Sequence, residues 1–183
     1  KFNKDLETYI EIPSDRVPFE QRPWMKSAEI TDTVMEEMRT GKHTFIRLNY
    51  ANGDMVGHSG VYESAVIAVE AVDLALGRLL KQVKKQGGIA LITADHGNAD
   101  EMFELDKAGD PVRDDDGRIK PRTSHSLNPV PFIIYDPLYR EEYSLSDVEK
   151  PGLSNIAATC LALLGFEAVE TYDESLVRMK GRT

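Results

Sequence analysis

The stretch "GIALITADHGNAD", Gly88 to Asp100, decides the fold because it joins a short apolar run to a carboxylate and an imidazole. The run is bounded by glycines and has the length of a strand, which favours a buried parallel strand over a helix. Asp95 and His96 follow directly after it. In α/β folds, ligands bind beyond the carboxyl ends of the strands, so the stretch predicts a functional site at one edge of a sheet.

Helices and strands alternate along the chain on both sides of this stretch. Apolar residues at intervals of three and four predict three helices, at 28–40, 62–86 and 155–164. Ser27 and Ser154 precede two of them as expected N-caps. β-Branched and aromatic residues predict two further strands, at 44–49 and 131–136. The alternation predicts an α/β fold, a three-layer sandwich with a mostly parallel sheet.

Three segments lie outside this alternation. Residues 1–26 carry three prolines and form a polar lead-in, and residues 104–122 form a charged insertion that we expect to be exposed to solvent. Residues 50–60 contain three glycines, a composition typical of a loop. Because the chain starts at Lys1 in a polar run, we expect it to be part of a longer protein.

The composition limits the class of partner. The net charge of −9 argues against nucleic acid or an anionic membrane as the partner. Cys160 is the only cysteine, which excludes an internal disulfide and fits a reducing cytoplasm. The longest apolar stretch, at 156–166, is too short to cross a bilayer.

Two carboxylates and three imidazoles fall in segments beside predicted strands: Asp54, His58, Asp95, His96 and His125. Taken singly, each has an ordinary explanation, because a histidine in a loop usually has no function and Asp-His-Gly is also a common turn. Gathered at one sheet edge, the five groups would need a cation to offset the desolvation of the carboxylates. The fourth histidine, His43, has no acidic residue beside it in the sequence, and we expect no role for it.

The ligand types indicate which metals fit. Carboxylates mixed with imidazoles, with no thiolate, suit Mn²⁺, Zn²⁺ or Fe²⁺ rather than a structural cysteine-type zinc site. Asp54, His58 and His125 are enough to hold one ion, whereas Asp95 and His96 are too few for a second site. Two ions about 3.5 to 4 Å apart form the usual clamp for phosphoryl chemistry.

Three motifs resemble the cofactor-independent phosphoglycerate mutases, which belong to the alkaline phosphatase superfamily. They are "NYANGDMVGHSG" at 49–60, "ITADHGNAD" at 92–100 and "TSHSLNPVPFI" at 123–133. The resemblance extends over nearly the whole chain. It implies an alkaline-phosphatase-like fold, with residues 1–183 as the C-terminal portion of the metal-binding phosphatase domain.

The resemblance also implies roles for individual residues. Asp54, His58 and His125 match the three protein ligands of a first metal, and Asp95 and His96 match two ligands of a second. The family uses two Mn²⁺ ions, or other divalent ions in some members. It interconverts 3-phosphoglycerate and 2-phosphoglycerate, in glycolysis and gluconeogenesis, through a phosphoserine intermediate. A cytoplasmic, monomeric full-length enzyme is implied, with no nucleic acid or membrane partner.

The family's nucleophilic serine, the last carboxylate ligand of the second metal and the basic residues that bind substrate do not match any position of this chain. We therefore expect no catalytic nucleophile here, and at most one tight metal site in the chain by itself. Gly53, Ser59 and Asp100 depart from the family's commoner residues, but no metal ligand is lost. The alternatives are another phosphomutase or phosphodiesterase of the same superfamily, or a metal-binding module without turnover.

Overall fold

A computed structural model describes residues 3–181 of the chain. The chain divides into two compact units, Lys1–Tyr135 and Asp136–Thr183. The first unit contains the strand predicted just before Asp95 and all of the candidate site residues. Helices and strands are mixed in both units, as predicted for an α/β protein. None of the helices in residues 3–181 has the length and apolar character needed to cross a membrane.

The helices of the first unit follow the apolar pattern of the sequence closely. Helix α1 spans Ser27–Thr40, and α3, which packs against it, spans Tyr62–Gln86. Each is followed by a glycine in the left-handed region, at φ 64° and φ 66°, where a side chain would be strained. The predicted N-cap Ser27 is instead the first helical residue, and its hydroxyl donates to the Trp24 carbonyl at 2.9 Å.

A short helix, α2, spans Asn52–Gly57, within the segment whose glycines predicted a loop. The prediction was wrong because tertiary packing outweighs the low helix propensity of glycine here. Val56 is fully buried and forms the core with Ala65, Ala68 and Met102. The helix is therefore anchored to the core by Val56, its one fully buried apolar side chain. A 3₁₀ turn at Phe19–Gln21 lies against both α2 and α3.

Strands β1 (Ala90–Thr93) and β2 (Phe132–Tyr135) form a two-stranded sheet. They pair antiparallel, with Ala90 opposite Tyr135 and Thr93 opposite Phe132. We predicted a parallel strand at β1, but within residues 3–181 its pairing with β2 is antiparallel. The chain returns from β1 to β2 without a crossover helix, so the second strand can run back along the first.

The strand predicted at 44–49 is not formed, because this segment has no hydrogen-bonded partner strand in the described chain. Sequence composition shows that a segment suits a strand, but pairing requires a second segment. The insertion at 104–122 is mostly exposed, as predicted. It is held by isolated bridges, Leu105 with Pro111 and Arg113 with Ile119.

The second unit consists of a small sheet and one helix. Strands β3 (Tyr143–Leu145) and β4 (Val177–Met179) pair antiparallel, and α4 (Asn155–Leu163) packs on β4. Helix α4 confirms the predicted core helix, with Asn155, Ala158 and Thr159 buried. Thr159 Oγ accepts a hydrogen bond from the Leu176 amide at 2.9 Å, which fixes the helix to the chain entering β4.

Candidate metal centre

Helix α2 and the residue that caps its C-terminus, His58, present the first two candidate ligands on one side. Asp54 and His58 are four residues apart, the spacing that brings two side chains together on a helix surface. The His58 Nε2 lies 3.1 Å from the Asp54 Oδ1. Val56, between them in sequence, points into the core. Val56 therefore anchors the helix to the core, while the Asp54 carboxylate and the His58 imidazole remain accessible.

His125 completes a triangle of donor atoms with these two residues. Its Nε2 lies 3.0 Å from Asp54 Oδ1 and 3.1 Å from His58 Nε2. Ligand atoms held about 2.1 Å from one ion, in tetrahedral or octahedral geometry, are separated by about 3.0 to 3.4 Å. The three atoms thus already have the spacing of a ligand set. The residues present fit a divalent transition-metal ion.

A hydrogen bond sets the orientation of the His58 ring. Its Nδ1 lies 2.6 Å from the backbone carbonyl of Thr123. A carbonyl only accepts, so Nδ1 carries the proton, and in the neutral ring Nε2 presents a lone pair. That lone pair faces the Asp54 carboxylate, an arrangement that is unfavourable without a positive charge between the two. A histidine whose second nitrogen donates to a carbonyl is the usual arrangement of a metal ligand.

His96 joins the same cluster from the segment after β1. Its ring stacks on that of His125 with centroids 3.6 Å apart. Asp54, His96 and His125 each offer a donor atom, all within 4.8 Å of one another. Asp95, by contrast, has a side chain 84 % exposed, and its Oδ1 lies 3.7 Å from His96 Nε2. The structure therefore gathers four of the five predicted ligands, and the division of the five between two ions stays a prediction.

Two loops meet at the centre through a backbone bridge between Gly97 and Ser126. Ser126 Oγ and Asn128 Nδ2 both donate to Asp100 Oδ2, each at 2.7 Å. A Cβ on Gly97 would lie 2.2 Å from Ser126 Oγ and 2.5 Å from Asp100 Oδ1. Glycine is required here by this close approach. These contacts fix the loop of His125 against the loop of His96.

Sequence reasoning assigned no role to Asn98, Asp100 or Ser126, although all three lie within the quoted motifs. Asn98 is 4 % exposed, and its Nδ2 donates to Asp54 Oδ1 at 2.8 Å. The signal available was the position of these polar residues within four positions of predicted ligands. A polar residue next to a ligand in sequence is a candidate for holding that ligand or its neighbour.

The electrostatic environment favours an ionised Asp54. Partial burial opposes ionisation, but the Asn98 hydrogen bond, and the attraction of the three surrounding imidazoles when these are protonated, outweigh it and lower the pKa of the carboxyl. The carboxylate is therefore available as an anionic ligand at neutral pH.

His43 lies outside the centre, as expected. Its Nε2 is 2.7 Å from Glu37 Oε2 of α1. No acidic residue lies beside it in the sequence, but the chain after α1 turns back and brings residue 43 to a side chain six positions earlier. This pairing accounts for the histidine without a metal.

The chain matches a known protein family and several curated relatives. The family model of the Metalloenzyme superfamily matches residues 1–168. The chain belongs to the Metalloenzyme superfamily. Among members with curated names, it is 47 % identical over 183 residues to the 2,3-bisphosphoglycerate-independent phosphoglycerate mutase of Trypanosoma brucei brucei. The alignment includes 98 % of this chain and 33 % of that protein.

Two further relatives give the same result. A probable mutase of this type from Leptospira interrogans is 48 % identical over 177 residues, covering 97 % of this chain and 32 % of the relative. A solved structure of Leishmania mexicana phosphoglycerate mutase at low cobalt concentration superposes with a TM-score of 0.94 at 42 % identity. It covers 98 % of this chain and 33 % of that chain. The chain thus spans about a third of the length of the relatives it matches.

These similarities confirm the α/β fold class and the resemblance to the cofactor-independent phosphoglycerate mutases. The relatives are named for their activity, which belongs to proteins about three times longer than this chain.

Proposed function

We propose that this chain is the C-terminal portion, residues 1–183, of the metal-binding phosphatase domain of a cofactor-independent phosphoglycerate mutase. The longer protein would interconvert 3-phosphoglycerate and 2-phosphoglycerate through a phosphoserine, in the cytoplasm, as an enzyme of glycolysis and gluconeogenesis. The nucleophilic serine would lie outside these residues. The observation that carries the proposal is the triangle of Asp54, His58 and His125 donor atoms, with sides of 3.0 to 3.1 Å.

In this proposal Asp54, His58 and His125 hold one divalent ion, and Asp95 and His96 contribute to a second. Mn²⁺ is the proposed metal. When bound, such an ion would act as a Lewis acid toward a phosphate oxygen. The chain's own contribution is to orient its donors: Thr123 fixes the His58 ring, and Ser126 with Asp100 fixes the loop of His125.

Charge supports an anionic substrate only at this centre. The chain carries a net charge of −9, so taken as a whole it repels an anion such as phosphoglycerate. One divalent ion beside one carboxylate and two neutral imidazoles leaves a local charge of about +1. Phosphate binding is therefore favoured at the metal ligands and disfavoured elsewhere.

The apolar surface supports a role within a longer protein. Ten hydrophobic side chains are buried in residues 3–181, whereas Leu74 is 71 % exposed and Leu127 fully exposed. In all, 25 large hydrophobic residues are exposed in residues 3–181, and so many on a chain of this length are typical of surfaces that further protein covers.

The test uses both the full-length protein and the 183-residue chain. The full-length protein, stripped by a chelator, should lose conversion of 3-phosphoglycerate and regain it with Mn²⁺. Release of inorganic phosphate or hydrolysis of a phosphodiester in place of isomerisation would favour the other members of the superfamily and contradict the proposal. The 183-residue chain should show no turnover and at most one tight site in a calorimetric titration with Mn²⁺. Two tight sites of equal affinity would be inconsistent with the proposed ligand sets.

A further inference from the structure

We infer that Asn98 is a positioning residue that fixes the Asp54 carboxylate for metal binding. This inference rests on the proposed function of Asp54 as a ligand. Asn98 lies two positions after His96, in the segment that follows β1, and its side chain crosses to α2. It is 4 % exposed, so its amide has little contact with water.

The Asn98 amide nitrogen binds Asp54 at two places. It donates to the carboxylate Oδ1 at 2.8 Å and to the backbone carbonyl of the same residue at 3.2 Å. Both protons of one NH₂ group are thus directed to one residue, and this restricts the rotation of the Asp54 side chain. The oxygen it holds, Oδ1, is the atom that lies 3.1 Å from His58 Nε2 and 3.0 Å from His125 Nε2.

Chemistry fixes the orientation of the Asn98 amide. Turning it over would place its oxygen against the Asp54 backbone carbonyl, which only accepts hydrogen bonds, and against Oδ1, which only accepts them when the carboxyl is ionised. In the orientation with the nitrogen on Asp54, the amide oxygen is buried and has no hydrogen-bond partner in the described part of the chain. An unpaired buried oxygen is unfavourable for stability. The fold retains it, which indicates that the nitrogen's contacts serve the site rather than the core.

Gly57 provides the space for this amide. A Cβ at residue 57 would lie 2.4 Å from Asn98 Oδ1 and 2.9 Å from its Cγ. A side chain larger than hydrogen would therefore displace the amide away from Asp54. Gly53, in the same helix, has no atom within 4 Å of its Cβ position. The two glycines of α2 form a matched pair, of which only one touches Asn98.

The experiment measures Mn²⁺ dissociation constants of the full-length protein by calorimetry, and His125→Ala identifies the binding step that belongs to the Asp54 site. Wild type should bind Mn²⁺ in that step. Asn98→Ala should weaken it 10- to 100-fold, the effect usual for residues that orient a ligand. Gly57→Ala should weaken it by a similar factor, whereas Gly53→Ala should change it less than threefold.

The double variant separates positioning from general damage. In the Asn98→Ala background the clash is gone, so adding Gly57→Ala should change the dissociation constant less than threefold. Melting temperatures in excess chelator report the metal-free fold. If Asn98→Ala fails to fold, Gly57→Ala, which keeps every atom of Asn98, supplies the comparison.

Two outcomes separate the two proposals. If wild type and His125→Ala bind Mn²⁺ equally, the proposed metal site is wrong. If wild type binds in the His125-dependent step and Asn98→Ala or a folded Gly57→Ala binds within threefold of it, the positioning role of Asn98 is wrong while the metal site stands. Additive losses in the double variant would equally overturn the inference, because the two residues would then act separately.

Discussion

His58 and Thr123, separated by 65 positions in sequence, are joined by a hydrogen bond of 2.6 Å between the imidazole Nδ1 and the backbone carbonyl. The bond leaves the opposite nitrogen facing Asp54. Helix α2 places the His58 ring, but the segment before His125 sets the direction of its lone pair. The ligand set is therefore assembled jointly by two parts of the chain, and changes in either should alter metal binding.

The first prediction compares two histidines. His125→Ala removes a donor that lies 3.0 Å from Asp54, whereas His43→Ala removes a ring that pairs with Glu37. In the full-length protein we expect His125→Ala to lower turnover of 3-phosphoglycerate by at least about 100-fold. This loss exceeds the usual effect of replacing a residue that only orients a metal ligand. His43→Ala should stay within about threefold of wild type. Equal losses in initial rate would show that the ligand choice is wrong.

The second prediction concerns the junction of the two loops. Gly97→Ala places a methyl group 2.2 Å from Ser126 Oγ, so the loops must separate. We expect the free energy of unfolding to fall by about 1 to 3 kcal/mol, the range for overpacked sites. Mn²⁺ affinity should fall as well, because His96 and His125 move apart. Urea unfolding and calorimetry measure the two effects, with Gly53→Ala as the control. Wild-type affinity in Gly97→Ala would contradict the role of the junction.

The third prediction tests the conformational roles of two glycines of the α3 region. Gly77 lies exposed in the interior of the helix with open space at its Cβ position, and Gly87 ends the helix at φ 66°. Gly77→Ala should raise the free energy of unfolding by about 0.5 to 1 kcal/mol. Gly87→Ala should lower it by about 1 to 2 kcal/mol, because a Cβ is strained in the left-handed region. Urea unfolding followed by circular dichroism checks both, and effects of the same sign would contradict this account.

The fourth prediction concerns alkaline pH. Burial of Tyr143, with its hydroxyl donating to Asp136 at 3.1 Å, raises the pKa of the phenol to about 12. In the unfolded chain a tyrosine titrates near pH 10. Because the folded pKa is the higher, the contribution of Tyr143 to stability is complete below about pH 10 and is lost between about pH 10 and 12.

Absorbance titration of tyrosinate, compared between wild type and Tyr143→Phe, should show one fewer group ionising near pH 12. The variant should also lose less stability between pH 10 and 12 than wild type does. Tyr172→Phe, at an exposed tyrosine, controls for the removal of one phenol. Loss of an early-titrating group in Tyr143→Phe would contradict the prediction.

Long helices were the most predictable part of this fold. The periodic apolar residues of 62–86 predicted both ends of α3 correctly. Gly41 and Gly87 end their helices because each adopts a left-handed backbone conformation. The five candidate ligands could be named because their chemical types and neighbours are visible in the sequence. Short elements were not predictable in the same way. Helix α2 depends on burial of Val56 against residues elsewhere, and the segment at 44–49 suits a strand but lacks a partner in the described chain.

The sequence by itself determined which donors are present, two carboxylates and three imidazoles in segments beside predicted strands, because side-chain chemistry requires no fold. Only the tertiary structure decided how they are oriented. The Thr123 carbonyl aims His58, Asn98 holds Asp54 and Ser126 fixes the His125 loop to Asp100, and each partner is at least 26 positions away. Contacts of that separation form only when the chain folds, so local pattern could not reveal them.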